Sequence, residues 1–338
     1  MTIRMIAEKC GCSPATVSKA LNGADDVSRE TAERIRRVAA ETGYLPNAAA
    51  RAMRTSRSYC FGVLFRDSDG NDSVMTHEFF SRILHGFKRR AEELGYDIFY
   101  ISDHLGRRRI DYVEHARYRN CDGVLIANTR FESPETRALV DSGIPVVTID
   151  YVFDTCGSVQ SDNFQGMRDL VRYVYTQGHR DIALIYGEDT GVTRARLSSF
   201  RQTCRDLGLE IPEEYMIAAD YHSPEASEEA TRRLLALTKR PTCILYPDDI
   251  SYIGGRNEIY RQNLRIPEDV SATGYDGIDL SQILRPRLAT LKQNADLMGS
   301  SAADELVRAV DEGKNYVPGR IIIPGAVLPG ETLRRMAP

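Results

Sequence analysis

Between Cys10 and Ala15 the chain reads C-G-C-S-P-A, and these six residues leave it little choice: one helix has to stop and another has to start within them. Gly11 suits the left-handed conformation that ends a helix, Ser13 suits an N-cap, and Pro14 suits the first helical position, where its missing N–H is not needed. Upstream, Thr2 precedes IRMIAEKC, in which Ile3, Ile6 and Ala7 share one face. Downstream, Val17 and Leu21 form the inner stripe of a second helix that runs to about Leu21. Ser28 opens a third helix over 29–42, with Ile35, Val38 and Ala39 turned inward and Gly43 as its stop. Two helices joined by so tight a turn, with a third at their back, make a helix-turn-helix unit.

The outer face of the second helix carries short side chains, Ala15, Thr16 and Ser18, together with Pro14, Lys19 and Asn22. Small polar and methyl-bearing groups allow a helix to approach base edges closely; the same face also fits the solvated side of an ordinary three-helix unit. Charge distribution separates the two readings. Residues 1–58 hold ten Lys/Arg against six Asp/Glu, while the whole chain is −4, so a basic head sits on an acidic body.

Residues 46–58, PNAAARAMRTSRS, follow the head. Their alanines favour helix, but the piece is too short and too poor in apolar bulk to be stable alone. Arg51, Arg54 and Arg57 recur at a spacing of three, with Met53 as the one large apolar side chain. The segment reads as a linker that orders on a partner, or as a flexible tether. From Cys60 onward, short apolar runs (CFGVLF, YDIFYIS, GVLIAN, PVVTID, DIALIYG, TCILY, VSATGYDG) alternate with helical stretches at 79–94, 163–177, 196–207, 225–238 and 252–263. This alternation predicts an α/β fold with parallel sheets and right-handed crossovers, and the strand count suffices for two sheets on either side of about residue 160.

Seven cysteines, an odd number without framework spacing, predict free thiols, and Cys10-Gly-Cys12 lacks a second pair for zinc. No run approaches the roughly 20 apolar residues of a membrane span, and the N-terminus has no apolar signal core. The expected location is the cytoplasm.

The head, the segment LPNAAARAM and the strand FGVLF, followed in order by SDNFQG, GHRDIALIYG, RLSSF, RIPEDVSATGYDG and LATLKQN, resemble the lactose-repressor (LacI/GalR) family over essentially the whole chain. The resemblance implies a helix-turn-helix domain at 1–45, a hinge helix at 46–58, and an effector-binding and dimerisation domain at 59–338. That last domain would be periplasmic-binding-protein-like, with two doubly wound parallel-sheet subdomains: about 59–160 plus 293–320, and about 161–292 plus 321–338. It implies a homodimeric regulator, a repressor of carbohydrate-utilisation genes, that binds a palindromic double-stranded DNA operator and is no enzyme.

By the same resemblance, Pro14, Ala15 and Lys19 fall where the family reads bases, and Thr16, Ser18, Asn22, Arg51 and Arg54 fall where it touches backbone. Asn47, Ala50 and Met53 belong to the hinge in the minor groove, Met53 replacing the usual leucine wedge. The family more often has Arg at the Lys19 position. Effector-site matches are Phe79, Phe80, Asp162, Asn163, Arg196, Asp248, Asp276 and Gln293, a set suited to sugar hydroxyls with an aromatic ring on the sugar's apolar face. Asp248 departs from the family's usual Asn, and the acidic segment 66–78 is longer than the usual loop. Core packing for Phe79 or Phe80, and an internal ion pair for Arg196, are the competing structural roles. The Asp248, Asp249 and Asp276 group has no calcium-loop spacing, so no metal, cofactor or catalytic residue is expected. A ligand-binding module with a purine or phosphoprotein corepressor, or an activator role, is the alternative.

Overall fold

The computed structural model describes every residue except 1, 22, 23, 25, 45–51, 53, 54, 56, 67–76, 337 and 338. Of the expected DNA-contacting residues, Asn22, Asn47, Ala50, Arg51, Met53 and Arg54 lie outside the described residues, as does most of the acidic segment 66–78. The chain forms two compact units, Met1–Ser58 and Tyr59–Pro338.

In the first unit the caps act as the sequence demands. Thr2 accepts a hydrogen bond from the Met5 amide at the start of α1 (Ile3–Cys10), and Gly11, at φ 61°, ends it. Ser13 Oγ accepts from the Thr16 amide at 3.1 Å and starts α2 (Pro14–Leu21). Ser28 does the same for α3 (Arg29–Glu41), which stops one residue earlier than expected, with Thr42 as its C-cap. Ile6, Val17 and Ile35, one from each helix, have no exposed surface and form the centre of a small core with Ala7, Cys10, Ala20, Ala32 and Ala39.

The second unit contains two lobes. In the first, β1 (Cys60–Phe65), β2 (Asp97–Tyr100), β5 (Gly123–Asn128), β6 (Val146–Ile149), β7 (Gly157–Ser161) and β13 (Arg320–Ile323) form a parallel sheet in the order β13-β7-β6-β5-β1-β2. A short ribbon of β3 (His104–Leu105) and β4 (Arg108–Arg109) lies outside it. The second lobe is built on β8 (Ile182–Tyr186), β9 (Met216–Ala218), β10 (Cys243–Leu245), β11 (Ser271–Asp276), β12 (Ala289–Lys292) and β14 (Ala326–Leu328), in the order β14-β12-β11-β10-β8-β9. Only β14 runs antiparallel there. The inner strands β1, β5, β6, β8 and β10 are near-continuous apolar runs, as expected of sheets with helices on both faces.

The chain crosses between lobes after Ser161, near Gln293 and after Ile323. The last crossing falls later than the expected break at 320, because Arg320–Ile323 pairs with Ser158–Ser161 and so extends the first sheet. Helices also start where their caps sit. The one expected at 196–207 begins at Gly191, since Thr190 Oγ1 accepts from the Thr193 amide at 3.1 Å. Among the described residues no helix is long and apolar enough to cross a membrane.

Two helices of the first lobe, Glu78–Glu93 and Ala295–Glu312, cross at a pair of glycines. A Cβ on Gly299 would lie 2.0 Å from the Ile83 carbonyl oxygen, and one on Gly86 would lie 2.3 Å from that of Asp296. The backbones touch, which fixes the helix that begins beside the cleft. Gly299→Ala is therefore expected to lower the unfolding free energy of this unit by about 1–3 kcal/mol through overpacking, read as a lower midpoint in urea; an unchanged midpoint would mean that the crossing yields freely.

Candidate functional site

On α2 the pattern of exposure follows the helical period. Val17 and Ala20 are buried, Thr16 and Ser18 are half-buried, and Pro14, Ala15 and Lys19 are exposed. The Thr16 hydroxyl is engaged with Ser13 Oγ at 2.9 Å, so it serves the cap. Lys19 Nζ pairs with the Asp26 carboxylate, and this hydrogen bond draws the Asp26 carboxyl below its ordinary range. Both partners are more than half exposed. Such a pair contributes little to stability in water, so the ammonium can exchange Asp26 for a phosphate or base edge at small cost.

The cleft of the second unit is assembled from strand ends, where open parallel sheets bind ligands. Arg196, on the helix Gly191–Asp206, is its electrostatic centre. Its Nε donates to Asn163 Oδ1 at 2.8 Å, an Nη donates to the Pro247 carbonyl at 2.9 Å, and the guanidinium lies 3.5 Å above the Tyr275 ring. Asn163 is itself aimed by donation from Nδ2 to the Ser161 carbonyl. No carboxylate bonds to Arg196 among the described residues, so the internal ion pair considered from sequence does not form.

Three acids belong to the site, and two of them, Asp150 and Asp276, act on the charge of Arg196. Asp150, at φ 53° after β6, accepts from the Ser161 amide at 2.9 Å, and burial pushes its carboxyl up to about 6. Asp276, at the end of β11, accepts from Gln293 Nε2 at 2.6 Å; burial and the neighbouring Asp248 charge push it up to about 7. Burial opposes the charge of Asp248 too, but His222 and the Ser251 amide outweigh it and hold that carboxyl well below the usual range. His77 and His222 approach from opposite lobes, their ring centroids 3.8 Å apart. Burial, aided by His222, pushes His77 down to about 3, whereas the Asp248 carboxylate lifts His222 against its own burial.

Several polar atoms of the cleft are buried without a hydrogen-bond partner: Asp276 Oδ2, Gln293 Oε1, Tyr275 Oη, and both ring nitrogens of His77. Buried polar groups are ordinarily satisfied, so this concentration marks a place built to receive polar ligand atoms. At the rim, Arg82 Nη2 meets Asp279 Oδ1 at 2.6 Å and Glu78 accepts from the Asp279 amide at 2.8 Å, joining the two lobes.

Of the residues expected from sequence, Asn163, Arg196, Asp248, Asp276 and Gln293 converge here. Phe80 is half-buried, edge-on to Phe65 and to both histidines. Phe79 instead belongs to the apolar core of the first lobe with Phe65 and Ile83, because adjacent helical positions point to different faces. Asp162 is occupied as the cap of Asn163–Thr176, accepting from the Gln165 amide at 2.9 Å. Asp249 is a structural strut, accepting from Thr290 Oγ1 at 2.6 Å and the Ile278 amide at 2.9 Å. Asp150, Tyr275, His77 and His222 escaped the sequence reading. The positive φ of Asp150, Asp276 and His222 is a tertiary signal with no local sequence mark.

A helix-turn-helix head joined to a two-lobed, ligand-shaped body defines a ligand-responsive DNA-binding regulator. Residues 2–47 match the pattern of bacterial regulatory proteins of the lacI family, and residues 171–333 match a periplasmic binding protein-like domain. The HTH-type transcriptional repressor CytR of Escherichia coli strain K12 is 30% identical over 96% of both chains. The transcriptional regulator CelR–cellobiose complex superposes with a TM-score of 0.71 at 25% identity, covering 98% of this chain and 99% of that one. The lac repressor dimer bound to operator and the anti-inducer ONPF, at 24% identity, 99% coverage of both chains and a TM-score of 0.77, shares the fold. The chain belongs to the LacI family. It is a DNA-binding transcriptional regulator.

Asp150→Asn keeps the acceptor for Ser161 and tolerates the left-handed backbone. Because the folded pKa is raised, the Asp150 contribution is favourable below the unfolded value near 4 and is lost as pH rises through about 6. The Asn variant should thus be more stable than the parent at pH 8 by about 3 kcal/mol, at about 1.4 kcal/mol per pKa unit, with the gap closing toward pH 4. Urea titrations at both pH values check this; a pH-independent difference would remove the buried charge as its cause.

Proposed function

We propose that this regulator represses carbohydrate-utilisation genes and that a sugar or glycoside in the cleft controls its affinity for the operator. The observation that carries this reading is the set of unpartnered buried polar atoms around Arg196, with Phe80 at the edge. A polyhydroxylated ring supplies donors for Asp276 Oδ2, Gln293 Oε1 and Asp150, acceptors for Arg196, and an apolar face for an aromatic ring. The cellobiose in the CelR complex supports a ligand of this class. Ligand bound between the lobes shifts the population toward one lobe arrangement, and this is felt at the hinges of the dimer.

In the head, Pro14, Ala15 and Lys19 of α2 meet base edges in the major groove, Ala15 suiting a thymine methyl and Lys19 suiting guanine O6/N7. Thr16, Ser18, Asn22, Arg51 and Arg54 hold the phosphate backbone. Asn47, Ala50 and Met53 place the hinge in the minor groove, where an apolar wedge opens a base step. The protein works in the cytoplasm, where the operator is.

Lys19→Ala should weaken operator binding by about 1–3 kcal/mol while affecting random DNA far less, as read by competition gel shift; equal losses on both would make Lys19 a phosphate contact. Arg196→Ala should retain operator binding in the absence of sugar and lose the response to it. If operator binding itself disappears with Arg196→Ala, the guanidinium is structural, and the sugar reading loses its central contact.

A further inference from the structure

His77 presents a problem that a sugar alone does not resolve. Its ring is only 7% exposed, and neither Nδ1 nor Nε2 has a hydrogen-bond partner. It directly precedes the helix Glu78–Glu93, at the N-cap position, yet makes no side-chain cap bond there. The imidazole faces across the cleft instead, against His222, whose Nδ1 is likewise buried without a hydrogen bond. Leaving such nitrogens buried without a hydrogen bond is costly.

The surroundings show what would satisfy them. His222 sits at φ 56°, and its amide donates to Asp248 Oδ2 at 2.9 Å. This places His222 Nδ1 3.5 Å from Asp248 Oδ1. One ligand atom from each of His77, His222 and Asp248 lies within 4.8 Å of the others. Ligands at about 2.0–2.1 Å from a tetrahedral ion are about 3.3 Å apart, so side-chain shifts of about an ångström complete the cage. A fourth position is at hand, since Asp276 Oδ2 is 3.9 Å from His77 Nε2 and has no hydrogen bond.

We propose that His77, His222 and Asp248 bind a divalent transition-metal ion of the zinc class, which clips the two lobes together across the cleft. Two imidazoles and one carboxylate select such an ion over calcium or magnesium, which take oxygen ligands. The ligands come from both lobes, His77 from the first and His222 and Asp248 from the second, so the ion stabilises one lobe arrangement and acts as a co-effector. Its fourth position is open to Asp276, water or a hydroxyl of a bound effector. The binding step itself is independent of the sugar reading, and only the co-effector role rests on the protein being a regulator.

The test uses the full chain, stripped with a chelator and dialysed. Titration with Zn2+ in a calorimeter should show one tight site per chain, Co2+ should give the absorption of a tetrahedral site with nitrogen and oxygen ligands, and Zn2+ should raise the unfolding temperature. His77→Gln and His222→Gln should each weaken that site by at least about tenfold, the lower range seen even for outer-shell losses. Asp248→Asn retains an acceptor for the helix cap, so its loss of Co2+ absorption in a folded protein secures the assignment against misfolding. No stoichiometric binding, or binding equal in the parent and all three variants, overturns the inference. A sugar response that persists without any metal binding also overturns it and leaves the regulator reading standing; metal binding at these residues without a sugar response leaves it standing and removes the sugar.

Discussion

Arg196 brings a full charge to a place where water barely reaches, and the second unit is organised around accommodating it. Its two directional bonds go to an amide side chain and a backbone carbonyl, and its open face stacks on Tyr275. None of these groups carries a compensating charge. The acids that could supply one, Asp150 and Asp276, are instead bonded to the Ser161 amide and to Gln293, and burial raises their pKa values toward neutrality. A cation without a bound anion and acids reluctant to ionise leave the cleft electrostatically incomplete. This is the condition in which a polar ligand has the most to contribute.

The chain passes between the lobes three times. Ser161 and Gln293 stand at two of these crossings, and each holds one of the raised acids. A change in lobe arrangement therefore acts on the charge balance of the site, and a ligand that alters the charge balance acts on the crossings. Linkage runs equally in both directions. The glycine crossing of the helices Glu78–Glu93 and Ala295–Glu312 brings their backbones into direct contact within the first lobe.

Much of this was legible beforehand, for reasons that differ from element to element. The head is almost fully encoded locally: Thr2, Gly11, Ser13, Pro14 and Ser28 set the helix limits, and Ile6, Val17 and Ile35 set the buried faces. In the body, the apolar runs announced seven strands, but β7 and β12 inside the sheets and β9, β13 and β14 at their edges were not anticipated, being short or poor in apolar residues. Arg196, Asp276 and Gln293 were found through the family's motifs. Phe79 and Asp162 satisfied the same motifs and turned out to serve the core and a helix cap, because a motif specifies a neighbourhood and not the direction of each side chain.

The sequence by itself determined where helices begin and end in the head, the parallel α/β class of the body, and the family, since caps, periodicity and motifs act over a few neighbouring residues. Only the tertiary structure decided that residues 77, 150, 222, 248 and 276 share one cleft, and which of their polar atoms remain unpartnered. These positions are brought together by sheet order and chain crossings, and their pKa values and hydrogen-bond deficits follow from burial, which no local pattern of residues can specify.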